Sequence, residues 1–127
     1  MVGIVVVSHS RKIAEGACEL ALQMAPKANV AASGGTKDGR IGIDVGKILA
    51  GIQKVQSGEG VVILVDIGSA VMSSETAIEM IPDNENIVIV DAPLVEGTFF
   101  GAVEASVGSP LAKVIEVLKE SKNYKKI

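Results

Sequence analysis

The sequence predicts an α/β protein with an open, mainly parallel four-stranded sheet, in the order 2-1-3-4, and helices on both faces. Two observations carry this prediction. The strands read as continuous β-branched runs, which is typical of strands covered on both faces. The segments between them repeat apolar residues at helical spacing, and such alternation implies right-handed crossovers. With 127 residues, we expect a single domain over 1–127.

Four segments are predicted as strands. Three are strong and one, the second along the chain, is weaker because alanine and serine dilute its β-branched residues. In chain order they are "VGIVVV" (2–7), "NVAAS" (29–33), "GVVILVD" (60–66) and "NIVIVD" (86–91).

The segments between the strands, and the segment at the end of the chain, have apolar residues at helical spacing and are predicted as helices. The apolar stripes are Ile13, Ala17, Leu20, Ala21 and Met24; then Val45, Ile48, Leu49 and Ile52; a weaker one at Ala70, Ser74, Ala77, Ile78 and Ile81; and a terminal one at Leu111, Val114, Ile115 and Leu118. Residues 93–118 are expected to form one broken helix or two consecutive helices. The polar, basic tail that follows is expected to fray.

Composition excludes several classes of function. A net charge of −3, with no Trp, one Tyr and two Phe, does not suggest a nucleic-acid-binding protein. Asp66 interrupts the longest apolar run, and the N-terminus has no signal-peptide pattern, so we expect a soluble, cytoplasmic protein without membrane contact. The single cysteine, Cys18, has no disulfide partner within the chain and is predicted to be a buried helical residue.

One histidine, His9, follows the first strand, and Asp66 ends the third. In an open sheet of this order, strands one and three are neighbours, and ligands gather at their carboxyl ends. The sequence therefore predicts an imidazole beside a carboxylate. The carboxylate would orient one ring nitrogen and leave the other as a nucleophile. A histidine among serines is also commonly structural, and that interpretation stays open for His9 taken alone.

Four flanking residues favour an anion at this point. Ser10 and Arg11 open a helix directly after His9, and helix N-termini attract negative charge. Gly68 is predicted to make a tight turn after the third strand and Ser69 to cap the next helix, whose N-terminus would face the same point. Simple turning and capping explain these two residues equally well. A neutral imidazole among such dipoles suits a carrier of phosphoryl groups.

Other chemistries lack their motifs. "GIDVGKI" (42–48) has the wrong spacing for a P-loop and no Ser or Thr after Lys47. Neither the serine-hydrolase elbow nor the glycine pattern of dinucleotide-binding proteins occurs, and one His with one Cys makes no recognisable metal site. A phospho-aspartate receiver would need an acidic pair after the first strand, where this chain has Ser8 and His9.

The motifs resemble those of the mannose-type IIA domains of the bacterial sugar phosphotransferase system, and most of all the branch that serves phosphotransferase-dependent dihydroxyacetone kinase. The resemblance spans nearly the whole chain. It rests on "VVVSHSRKIAEG" (5–16), "GG" (34–35), "LVDIGSAVMSSE" (64–75) and "APLVEGTFFGAVEASVG" (92–108).

This resemblance implies an open α/β fold, phosphorylation of His9 and orientation of its ring by Asp66. It also implies partners: phospho-HPr as donor, and a DhaL subunit with bound ADP as acceptor. No cofactor would bind this chain directly, because the nucleotide would reside on the DhaL subunit and only covalent phosphate on His9. Members of the family are commonly homodimers, and the apolar residues in 93–118 exceed what one face of a small sheet needs.

The long segment 33–44, "SGGTKDGRIGID", contains four glycines and is either functional or a flexible surface excursion. Gly34, Gly35 and Thr36 are candidates for phosphate or partner contacts. Family members often carry a hydroxyl residue where this chain has Ile43, which puts a phosphate-binding role of that position in doubt; Thr36, closer to the paired glycines, is the candidate in its place.

Two other functions stay open. One is a IIA domain of a mannose-type sugar transporter, although "IGSAVMSSE" (67–75) favours the kinase branch. The other is a non-catalytic regulatory module, in which His9 never carries phosphate.

If Asp66 or a backbone carbonyl takes the Nδ1 proton of His9, phosphate is predicted on Nε2.

Overall fold

The computed structural model describes all residues from Met1 to Ile127. Strands and helices alternate through the fourth strand, and two further helices close the chain. The elements are β1 (Gly3–Ser8), α1 (Arg11–Met24), β2 (Asn29–Gly34), α2 (Val45–Val55), β3 (Val61–Val65), α3 (Ser69–Glu79), β4 (Ile87–Ile89), α4 (Leu94–Ser106), α5 (Leu111–Glu120) and a short 3₁₀ turn (Ser121–Asn123).

The four strands form one parallel sheet in the order β2-β1-β3-β4, which confirms the predicted order. The central strand β1 is buried along its whole length. Its register against β3 pairs Val7 with Val65. This pairing fixes how the segments after the two strands meet.

Helices cover both faces of the sheet, as predicted. Ile4 and Val6 of β1 point into a core with α1, α4 and α5, whereas Val5 and Val7 point into a second core with α2 and α3. Since successive side chains of a strand alternate between faces, two cores require apolar residues at every position of β1. Burial on both faces therefore explains why β1 is a continuous run of apolar, mostly β-branched residues.

The C-terminal region forms two consecutive helices, since Gly108 adopts a positive φ of 87° between α4 and α5. The tail departs from its prediction. It was expected to fray, but Lys122 pairs with Asp91 at 2.7 Å and Lys126 with Glu96 at 2.8 Å. The Tyr124 ring also packs edge-on against that of Phe100, with centroids 4.9 Å apart. These contacts attach the tail to α4 and to the segment after β4.

Strand ends lie within two residues of the predicted bounds, and the largest difference is at β4, which spans only Ile87–Ile89. No helix is both long enough and apolar enough to pass through a bilayer.

Candidate active site

His9 and Asp66 lie at the carboxyl edge of the sheet, as predicted. Each residue follows the end of a neighbouring strand, His9 after β1 and Asp66 after β3. The ladder extends one step further, because the Asp66 N–H donates to the carbonyl of Val7 at 3.1 Å. The backbone therefore brings an imidazole and a carboxylate from residues 57 apart in sequence into contact.

The carboxylate of Asp66 holds the Nδ1 side of the His9 ring. Nδ1 lies 3.0 Å from Oδ1 and 3.3 Å from Oδ2. An ionised carboxylate can only accept hydrogen bonds, so Nδ1 carries the proton and Nε2 keeps its lone pair in the neutral ring. The His9 side chain is 23% exposed, which leaves Nε2 within reach of a partner.

Asp66 is stabilised as a carboxylate by several donors. Its partial burial raises its pKa, but four hydrogen bonds outweigh this and the pKa lies below its ordinary value. The donors are the backbone N–H and the imidazole of His9, the backbone N–H of Ile67 and the hydroxyl of Ser8. Asp66 is therefore ionised at neutral pH, as an orienting partner must be.

Ser8 is a site residue that the sequence did not single out. Its side chain is fully buried. The hydroxyl donates to Oδ2 of Asp66 at 3.0 Å and accepts the backbone N–H of Ser10 at 3.0 Å. It thereby links the carboxylate to the first turn of α1. The available signal was a polar residue in the last buried position of an otherwise apolar strand.

Ser69 is at the site, but not as a helix cap. The N-cap of α3 is Gly68, and no side chain caps the helix. The Ser69 hydroxyl instead lies 3.0 Å from Nε2 of His9. Gly68 also departs from its prediction. Its φ of −57° and ψ of −29° are ordinary helical values, and an added Cβ would meet nothing within 4 Å. The turn after β3 therefore does not require glycine.

The N-terminus of α1 forms as predicted. Ser10 is its N-cap and accepts the N–H of Ile13 at 3.3 Å, so the helix begins at Arg11. Both α1 and α3 thus begin within three residues of His9 or Asp66. Their positive ends favour negative charge at this edge of the sheet.

The glycines of the following loop have structural roles. A Cβ on Gly34 would lie 2.7 Å from backbone atoms of Ser10 and Arg11, so glycine permits β2 to pass close to the start of α1. Gly35 has a φ of 74°, a conformation that favours glycine. Thr36 is engaged within its own turn, where its N–H and hydroxyl face the carbonyl of Arg40.

Two backbone hydrogen bonds join this loop to the site. The N–H of Gly42 donates to the carbonyl of His9 at 2.9 Å, and that of Gly35 donates to the carbonyl of Ser8 at 3.2 Å. The loop and the candidate phosphoacceptor, His9, are therefore neighbours, although the hydroxyl of Thr36 faces the carbonyl of Arg40 and not His9.

The single thiol of the chain is not a nucleophile at neutral pH. Burial raises the pKa of the Cys18 thiol to about 11, which keeps it protonated at neutral pH. No group of three or more His, Cys, Asp or Glu side chains is arranged to hold a metal ion.

The arrangement suits nucleophilic attack by an imidazole. Asp66 fixes the ring and its tautomer, Nε2 is exposed with a lone pair, and the adjacent hydroxyl and helix N-termini would face an anionic group attached there.

Comparison with known proteins agrees with this geometry. The profile of the family described as "PTS system fructose IIA component" matches residues 3–115. The chain is 40% identical over 121 residues to the phosphoryl donor subunit DhaM of PEP-dependent dihydroxyacetone kinase 2 from Listeria innocua, covering 93% of this chain and 97% of that protein. It is 38% identical to the Escherichia coli DhaM, with 91% of this chain aligned to 26% of that longer protein.

A solved structure shares the fold. A protein of unknown function, EF1359, superposes with a TM-score of 0.83 at 37% identity, covering 94% of this chain and 93% of that one. The family profile and the full-length Listeria relative together settle the classification. The chain belongs to the PTS IIA component family, in the group of the DhaM phosphoryl donor subunits.

Proposed function

We propose that this chain is the phosphoryl donor subunit of a dihydroxyacetone kinase system, and that it carries phosphate on Nε2 of His9. The observation that carries the proposal is the hydrogen bond between Nδ1 of His9 and Asp66, which leaves Nε2 exposed beside Ser69. The names of the relatives support the same role.

The first transfer takes phosphate from phospho-HPr. The Nε2 lone pair attacks phosphorus, the new Nε2–P bond forms, and the bond from phosphorus to the donor's imidazole breaks with its electron pair returning to that ring. The Nδ1 proton stays between His9 and Asp66, whose negative charge offsets the positive charge developing on the ring. Ser69 must turn its hydroxyl from Nε2 towards a phosphate oxygen, where it acts as a donor.

The second transfer delivers phosphate to ADP on a DhaL subunit. An oxygen of the terminal phosphate of ADP attacks phosphorus, the Nε2–P bond breaks, and the electron pair returns to His9. ATP then remains on the partner, so this chain needs no nucleotide site of its own. The missing P-loop pattern around Lys47 supports this division of labour.

Phosphorylation followed by discharge tests the proposal. The chain is incubated with phosphoenolpyruvate, enzyme I and HPr, and its intact mass is measured. An added phosphate that is stable in base and labile in acid is expected. Since His9 is the only histidine, any phosphohistidine in the chain is His9. The His9→Gln variant is the control and should acquire no phosphate while remaining folded.

The description of the family profile, a fructose component of the PTS, supports the alternative of a sugar transporter. Two phosphate acceptors distinguish the kinase from this alternative. We expect ADP on DhaL to discharge the phosphorylated chain, whereas a IIB domain of a mannose-type transporter should not. A chain that never acquires phosphate would instead support the regulatory module.

We further propose a homodimer, formed through the outer face of α1 and α4. The two helices pack beside each other. Together with Val107, which follows α4, they expose six large apolar side chains, namely Ile13, Leu20, Met24, Val95, Val103 and Val107. Exposed apolar side chains in this number on one pair of helices favour an interface.

A further inference from the structure

Lys47 has no part in the reaction just described, yet it makes two hydrogen bonds near the site. It lies in the first turn of α2, and its Nζ donates to the carbonyl of Gly34 at 3.0 Å and to that of Thr36 at 2.8 Å. An ammonium has three donors and forms stronger hydrogen bonds than a neutral group. Lys47 therefore fastens the beginning of loop 35–43 to α2.

The loop is held at its far side by His9 itself. Its turn closes where the Thr36 N–H donates to the carbonyl of Arg40 at 2.9 Å, and the Gly42 N–H donates to the carbonyl of His9 at 2.9 Å. This loop without regular structure is thus held by the ammonium at one end, where the Gly35 N–H also donates to the carbonyl of Ser8 at 3.2 Å, and by the carbonyl of His9 at the other. Removing the ammonium leaves the two backbone hydrogen bonds of Gly35 and Gly42.

The anchored loop contributes to the surface around His9. Ile41, which precedes Gly42, is 75% exposed; Ile67, which follows Asp66, and Met72, which lies three residues after Ser69 on α3, are 59% and 76% exposed. A protein that brings phosphorus within bonding distance of Nε2 approaches the edge of the sheet where these segments lie. Because the loop is already ordered, association with that protein does not carry the entropic cost of ordering the loop.

We propose that Lys47 is a positioning residue for protein partners: it keeps loop 35–43 against His9, so that the surface covered by a phosphorylated protein donor is already formed. This inference rests on the proposed phosphoryl transfer to His9. Lys47 touches neither the imidazole nor phosphate, so its role concerns association and not the chemical step.

The chain offers a matched control for the loss of charge. Lys54 is on the same helix, lines the same groove between α1 and α2, and makes no hydrogen bond. Lys47→Met and Lys54→Met each remove one ammonium from that groove, but only the first removes the tether. Lys47→Arg supplies a cation with several donors and serves as the conservative variant.

The experiment compares a protein donor with a small one. With phospho-HPr as the varied substrate, Lys47→Met should raise KM about tenfold and leave kcat within about twofold, because two hydrogen bonds from a charged group order the loop and their loss costs at least that factor. Phosphorylation by phosphoramidate, which needs no docking surface, should be unchanged. Lys54→Met should match the parent chain, and Lys47→Arg should recover most of the lost affinity. Hydrogen exchange of the Gly42 amide should accelerate only in Lys47→Met.

Each other result contradicts the inference. An unchanged KM in Lys47→Met, an equal rise in Lys54→Met, or an equal loss with phosphoramidate would overturn the positioning role. Failure of both donors to phosphorylate His9 in the parent chain would instead refute the proposed function, which separates the two failures.

Discussion

Replacement of Asp66 by Asn is the sharpest test of how the site works, because the two side chains have nearly the same shape. Oδ1 of Asp66 accepts from Nδ1 of His9 at 3.0 Å and from the Ile67 N–H at 2.8 Å. Oδ2 accepts from the His9 N–H at 2.9 Å and from the Ser8 hydroxyl at 3.0 Å. Both oxygens therefore face a backbone N–H, and an amide has only one oxygen.

Either orientation of the amide costs a hydrogen bond. With its oxygen in the Oδ1 position, the NH₂ of Asn faces the backbone N–H of His9. With its oxygen in the Oδ2 position, the NH₂ faces the Ile67 N–H and donates to Nδ1, which moves the ring proton to Nε2. The second orientation keeps both the His9 N–H and the Ser8 hydroxyl paired, so we expect it to dominate. It removes the lone pair that attacks phosphorus.

The expected consequence is a fall in the transfer rate of about 100-fold or more, since the tautomer and the charge partner are both lost. Rapid-quench measurement of transfer from phospho-HPr gives the rate, and ¹⁵N NMR of the single imidazole gives the tautomer. A variant that transfers at the parent rate would refute the role of Asp66. Slow transfer with the proton still on Nδ1 would refute the tautomer argument.

Four further measurements test the site, the start of α1 and the proposed dimer. Ser69→Ala should slow transfer about tenfold or more, measured by rapid quench, because it removes a donor to the bound phosphate. Asp66→Asn should lower the free energy of unfolding most above the ordinary carboxyl pKa of 3.8, and the difference should shrink as the pH falls through the lowered native pKa, as followed by denaturant titration across this range. Gly34→Ala should lower the free energy of unfolding by about 1–3 kcal/mol in the same titration, since the new Cβ would lie 2.7 Å from backbone at the start of α1. Leu20→Glu should dissociate the proposed dimer in sedimentation experiments, whereas the equally charged Met72→Glu on α3 should not.

The sheet and the His9–Asp66 contact were predictable from the sequence because both follow from strong local patterns. Continuous β-branched runs identify strands buried on both faces, and the strand order then brings the ends of β1 and β3 together. The site needed only one histidine after one strand and one carboxylate after its neighbour.

Features that depend on side-chain direction were not predictable in this way. A serine at the start of a helix usually caps it, yet Ser69 points to Nε2 and the helix has no side-chain cap. Lys47 donates to the carbonyl of Gly34, 13 residues earlier in the chain, and apolar periodicity does not predict such a contact. The attachment of the tail was missed for the same reason, since Lys122 pairs with Asp91, 31 residues earlier in the chain.

The register of β1 against β3 has a consequence for insertions and deletions. Because Val7 pairs with Val65, His9 and Asp66 each leave the sheet at a fixed step beyond that pair. Deleting one residue inside either strand would slide its end by about 3.3 Å and turn every following side chain to the opposite face. Lengthening a surface connection, such as residues 80–86 between α3 and β4, changes neither the position of the strand ends nor the direction of the side chains that follow them. Chain length within the two central strands is thus as much a determinant of the histidine–carboxylate contact as the identity of the two side chains.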